Sequence, residues 1–155
     1  MHSVETIGRL LQNEMAAAAT YQQLLDKFQD DGGFTESAFL TPIYEDHKNA
    51  ASDLQTHIRK LGGTPPAKYS GVREAWAKII HGGANKLSKQ AALDILWQGE
   101  KSGAEDYLKV LGNADLPVSI RCLIEWKLLL IQISHTRILD RLLGETEAPA
   151  ISFSG

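Results

Sequence analysis

Glycine and proline cut this chain into four long segments whose apolar residues recur at three-and-four spacing, and that pattern restricts it to bundled helices. In the first, Ile7, Leu10, Leu11, Ala17, Ala18, Tyr21, Leu24, Leu25 and Phe28 precede Asp30-Asp31-Gly32-Gly33. In the second, Ile43, His47, Ala50, Ala51, Leu54, Ile58 and Leu61 precede Gly62-Gly63-Thr64-Pro65-Pro66. Such spacing gathers apolar side chains on one helix face. Glycine takes the left-handed conformation that closes a helix, and proline beyond it cannot continue one. Ser3 is the predicted N-cap of helix 1, which runs to about Gln29. Helix 2 has two candidate starts: Thr35 with Pro42 kinking its first turns, or Thr41 with Pro42 at the first helical position.

Ser88 caps a predicted third helix over Lys89–Leu111, closed by Gly112-Asn113. Leu116-Pro117 opens the fourth, which reaches about Leu143 before Gly144. Residues 64–88 are too long for a tight helical hairpin; there Ser70 is expected to cap a short helix, Val72 to about Ile80, that carries Trp76. No window alternates with the period of two that a strand needs. The fold class is therefore all-α: two helical hairpins, 1–2 and 3–4, joined by a long crossover with a short extra helix. Residues 1–144 form the bundle and 145–155 a C-terminal tail.

At 155 residues the chain suits one domain with a core of its own. A net charge of -3 gives no electrostatic case for nucleic acid or an anionic membrane. The apolar run Leu128–Ile133 is far too short to span a bilayer. The amino terminus reads as helix, not leader peptide. One cysteine, Cys122, fits a reducing compartment, so a cytoplasmic location is expected. With no strands there is no strand-borne phosphate loop, and no Ser-His-Asp or Cys-His arrangement can be assembled. No catalytic residues are assigned.

The informative residues are those that break the apolar stripes. A helix turns about 100° per residue, so heptad partners share a face. Ile7, Glu14, Tyr21 and Phe28 therefore line helix 1, while Leu93, Glu100 and Tyr107 line helix 3. His47 lies inside the stripe of helix 2; His135 lies among Ile124, Leu128, Ile131, Ile138 and Leu142 on helix 4. Each long helix thus places one ionisable residue near the middle of its seam, in the order Glu, His, Glu, His. A buried charge loses its hydration and needs a compensating partner. Carboxylate and imidazole groups converging from four helices suit a metal ion inside a bundle. The predicted ligands are Glu14, His47, Glu100 and His135.

Leu61-Gly62-Gly63-x-Pro65, Arg73-x-x-Trp76, Glu100…Tyr107, Leu116-Pro117 and His135 late in helix 4 together resemble the ferritin-like superfamily. Within it, the match is to an uncharacterised bacterial family of four-helix bundles described only as ferritin-like. The resemblance spans about residues 5–143 and implies a ferritin-like bundle that binds iron or another divalent metal. In di-iron members, helices 1 and 3 each give a glutamate, and helices 2 and 4 each give a Glu-x-x-His pair. Here Tyr44 and Gln132 stand where the paired glutamates would be, as supplementary ligands at most. The departures argue against an oxygen-activating di-iron enzyme and leave a single divalent ion or none.

The competing reading is a metal-free bundle, a structural or stress-associated interaction module. In it the same residues only specify the core, with Glu14–His135 and Glu100–His47 as natural pairs. Tyr21 and Tyr107 read as core fillers whose hydroxyls reach a glutamate. Trp76 is expected to plug one end of the bundle and Cys122 to fill a small core position. His2, His57 and His81 connect to no site. Helix 4 is apolar on nearly every side, so either the crossover helix or a homodimer interface is expected to cover it.

Overall fold

The computed structural model describes residues 2–69 and 74–147. Ser70, Val72 and Arg73, invoked above for the crossover, and residues 148–155 of the tail lie outside the described residues. Helix α1 (His2–Asp30) and α2 (Phe34–Lys60) form the first hairpin. The crossover contributes α3 (Glu74–Ile80) and a 3-10 turn at Ala84–Lys86. The second hairpin pairs α4 (Lys89–Leu111) with a long composite helix. That composite consists of α5 (Val118–Leu123), a π-helical turn (Ile124–Leu128) and α6 (Leu129–Glu147), which follow one another directly. Among the described residues there is no strand, and no helix is long and apolar enough to cross a membrane.

The glycine stops after α1 and α2 work as expected. Gly32 and Gly62 take φ of +76° and +83°. The following amides, Gly33 N–H and Gly63 N–H, reach back to Phe28 O at 2.6 Å and Ile58 O at 3.0 Å. Those bonds satisfy carbonyls left over at the ends of α1 and α2. Ser88 caps α4 by accepting from the Ala91 amide at 3.1 Å. Arg121 ties the second hairpin, donating to Leu111 O at 2.8 Å and Asn113 O at 2.7 Å.

Several boundaries differ from expectation. Helix α1 already includes Ser3, so that residue is not its cap. Helix α2 begins at Phe34, ahead of both candidate threonines, with Gly33 at the N-cap and Pro42 inside. Proline lacks an N–H, so its position in the early turns costs α2 one ladder bond. Helix α6 runs through Gly144 to Glu147, because a single glycine weakens a helix without ending it.

The apolar core is divided in two. One cluster gathers Tyr21, Leu24, Phe28, Leu40, Ile43, Trp76, Leu96 and Leu139. The other gathers Ile7, Leu11, Leu54, Ile58, Tyr107, Ile120 and Leu128. Between them, at mid-height of all four long helices, lie the buried polar residues Glu14, His47, Glu100, Gln132 and His135. A polar layer across the middle of a bundle contributes less hydrophobic stabilisation than leucines there would.

The described crossover helix lies mainly on the other side of the bundle from the outer face of helix 4. It packs on α1 and α4, where Trp76 is fully buried. Trp76 sits at the level of the polar layer instead of plugging an end: its Nε1–H donates to Asn13 Oδ1 at 3.2 Å, and its ring occupies the notch left by Gly99. Cys122 is exposed, lying on the outward face of α5, which corrects its expected core role. On the same side of the composite helix Trp126 and Leu130 are 75% and 53% exposed within the chain.

Candidate metal centre

Glu14, His47, Glu100 and His135 all lie in the polar layer and are at most 2% exposed. The heptad geometry that placed the two glutamates on one line with leucines also points them into the bundle. Glu100 is the hub. Its Oε1 lies 2.7 Å from His47 Nε2, 2.7 Å from His135 Nδ1 and 3.2 Å from the Tyr21 hydroxyl, which donates to it. Its Oε2 accepts from Gln132 Nε2 at 2.7 Å.

Each imidazole carries a second carboxylate on its other nitrogen. His47 Nδ1 is 2.6 Å from Glu14 Oε2, and His135 Nε2 is 2.8 Å from Asp46 Oδ2. Glu14 Oε1 accepts from the Tyr107 hydroxyl at 2.6 Å. The expected Glu14–His135 pair is thus replaced: Glu14 faces His47, and His135 faces Asp46. The tyrosines cross over as well, Tyr21 to Glu100 and Tyr107 to Glu14, each reaching the glutamate of the other helix.

Carboxylates only accept, so all four imidazole bonds form without metal only if both rings carry two protons. The electrostatics agree. Burial disfavours charge on His47, but Glu100 and Glu14 at its two nitrogens outweigh this and push its pKa up to about 10. Burial likewise opposes charge on Glu100, and His47 and His135 overcome it, holding the carboxyl down at about 2. Against the same burial, Glu100 and Asp46 raise the pKa of His135. Burial, with Glu100 and Glu14 nearby, lifts the phenols of Tyr21 and Tyr107 well above their usual range.

Ligating atoms of His47, Glu100 and His135 all lie within 4.8 Å of one another, close enough to share one cation. Tyr44 takes no part. It packs against the apolar core beneath the Lys48 ammonium, 5.1 Å from its ring centroid. Gln132 does reach the site, through the bonds it donates to Glu100, and Gly103 leaves it the room to do so. Neither residue is a carboxylate, so the two Glu-x-x-His pairs of a dinuclear carboxylate centre are absent. Two imidazoles and one carboxylate fit a single first-row divalent ion.

Asp46 is the participant that sequence reading missed. It stands beside His47 in the chain and off the apolar stripe, so heptad arithmetic assigns it to solvent. Its side chain is 38% exposed while still reaching His135. A cavity of about 300 Å³ opens between α2 and the π-turn end of the composite helix. Glu14, His47, Gln132 and His135 form its inner wall, and Asp46, Asp53 and Lys127 lie in its polar lining. Lys127 pairs with Asp53 at 2.7 Å. The π turn supplies Lys127 and Leu128 to this wall, in keeping with the frequent placement of such turns at functional sites.

Neither a protein-family model nor a curated protein matches the sequence. Among solved structures, the chain is similar to a ferritin-like, diiron-carboxylate protein from Bacillus anthracis str. Ames. The TM-score is 0.72 at 20% identity, over 92% of this chain and 95% of that one. The fold is ferritin-like, as the crossover and the sequence motifs implied.

Proposed function

We propose that this chain is a ferritin-like divalent-metal-binding protein whose ion, iron or a chemically similar one, sits in the polar layer. The observation that carries this reading is the convergence of His47, Glu100 and His135 ligand atoms within 4.8 Å in the centre of the core. Charge supports it too. Two imidazolium protons facing Glu100 and one divalent cation carry the same charge, so exchanging them leaves the buried charge unchanged. Glu14 belongs to the proposed site with these three. The neighbour that shares the fold is a diiron-carboxylate protein, in keeping with the reading.

Elemental analysis of protein purified without chelators, then loaded with iron, manganese or zinc, tests the proposal. Wild type is expected to retain metal stoichiometrically, and Glu100→Gln or His135→Ala to lose it. Less than a tenth of an equivalent in wild type after loading would sink the reading.

A second reading has its own support. In the polar layer every imidazole nitrogen already faces a carboxylate oxygen at 2.6–2.8 Å, which is a satisfied metal-free network. A bundle of that kind would serve as a structural or interaction module. It predicts no retained metal, and lost stability in Glu14→Leu or His135→Leu, since each strands buried partners: His47 and Tyr107 in the first, Glu100 in the second.

A cytoplasmic setting belongs to the proposal and rests on the single cysteine. So does pairing of two copies through helix 4, supported by exposed Trp126 and Leu130. Sedimentation of wild type against Trp126→Glu tests the pairing: a monomer in both would rule it out.

A further inference from the structure

We propose that the site takes one ion through opposite nitrogens of its two imidazoles, with Glu14 and Asp46 positioning the rings and not touching the ion. The inference rests on the metal-binding reading and deepens it. Around Glu100 Oε1 converge His47 Nε2 and His135 Nδ1, each at 2.7 Å. The nitrogens left over, His47 Nδ1 and His135 Nε2, point away from this cusp to Glu14 and Asp46 at 2.6 and 2.8 Å. Metal-bound histidine donates its other N–H to a carboxylate or carbonyl, which fixes the tautomer and strengthens the ligand. Both rings here have that arrangement, and they have it in opposite sense.

Glu14 lies on the wrong side of His47 to share an ion with Glu100. One carboxylate oxygen of Glu14 holds His47 Nδ1 and the other accepts from Tyr107, so neither oxygen faces the cusp. A second ion would need oxygen donors where Gln132 presents an amide N–H to Glu100 Oε2. An amide donor at that spot repels a cation. The donor set therefore closes around one ion, with three protein ligands. The cavity touches His47 and His135 but is not lined by Glu100, and it has room for water at about 30 Å³ per molecule.

The full-length chain loaded with zinc gives a direct test. Histidine ring carbon and nitrogen chemical shifts are expected to show His47 bound through Nε2 and His135 through Nδ1. Equilibrium dialysis is expected to give one zinc per chain. Glu14→Gln and Asp46→Asn should still bind one ion, about 10- to 100-fold more weakly. Their cobalt-loaded forms should keep the wild-type visible bands, because the groups touching the ion are unchanged. Ligation of both rings through the same nitrogen, a second zinc of similar affinity, or cobalt bands moved by either variant would overturn the inference alone. So would unchanged affinity in both variants. Failure of wild type to bind zinc or cobalt at all would instead remove the metal-binding reading beneath it. Asp46 lies at the cavity rim, so Asp46→Asn keeps the test informative if Glu14→Gln does not fold.

Discussion

Tyr107 donates to Glu14 across the bundle at 2.6 Å, although Glu100 lies one heptad before it on its own helix. Tyr21 makes the reciprocal choice and donates to Glu100 at 3.2 Å. The two heptads are therefore stitched to each other. The described bonds give Glu14 Oε1 one donor, whereas Glu100 Oε1 also has His47 and His135. Tyr107→Phe should accordingly cost more stability than Tyr21→Phe. An oxygen left buried without its donor costs about 1–3 kcal/mol. Urea denaturation of chelated protein checks the order, and an equal or reversed ranking would contradict the bonding scheme.

Much of this was readable in the sequence. The Glu, His, Glu, His order predicted that Glu14, His47, Glu100 and His135 are buried, and they are, because helical periodicity is set by backbone geometry and survives into the bundle. Which acid meets which imidazole was not readable. That depends on helix rotation and height, set by how Leu40, Ile43, Leu54 and Ile58 pack against the other helices. Asp46 escaped for a related reason: a short side chain off the stripe reaches inward only when its neighbouring helix passes close. Trp76 was misplaced because nothing in a crossover segment fixes its height along the bundle.

Stability of the metal-free protein should peak between about pH 4.5 and 6.5. His47 has a folded pKa of about 10 against an ordinary 6.5. Its contribution is whole below 6.5 and fades as pH rises through 10. Glu100 has a folded pKa of about 2 against an ordinary 4.5, so its contribution is whole above 4.5 and fades as pH falls through 2. Denaturant midpoints measured from pH 3 to 10 in the presence of chelator check this. A flat profile would mean that the imidazoles are not doubly protonated.

Gly99 and Trp76 are matched. A Cβ at position 99 would fall within the Trp76 indole, which is held on its other edge by Asn13. Gly99→Ala should therefore destabilise by about 1–3 kcal/mol through overpacking. Trp76→Ala should cost about 3–5 kcal/mol as a core truncation. In the double variant the alanine methyl fills part of the space left by the indole, so the two costs should sum to more than the measured loss. A thermal-melt double-mutant cycle reads the coupling, and strict additivity would argue against the contact.

Gly103 is the corresponding notch for Gln132. A Cβ there would come within 2.5 Å of Gln132 Nε2. Gly103→Ala should displace the amide from Glu100 Oε2 while leaving both imidazoles in place. Amide proton and nitrogen shifts of the Gln132 side chain should move towards exposed values, with the His47 and His135 ring signals retained.

A divalent ion bound only by the folded chain should also stabilise it, by about 2.7 kcal/mol at a free concentration 100 times Kd. Thermal melts with zinc should shift upward in wild type and return to the apo value with chelator. Glu100→Gln should show no shift.

The most direct test is a crystal of the zinc-loaded chain measured at the zinc absorption edge. The account predicts one anomalous peak per chain in the polar layer, about 2.0–2.2 Å from His47 Nε2, His135 Nδ1 and a Glu100 oxygen. Glu14 and Asp46 should remain hydrogen-bonded to the far sides of the two rings. No peak there, with both imidazoles still bonded to Glu100, would contradict it and leave the metal-free network as the function-neutral state of the bundle.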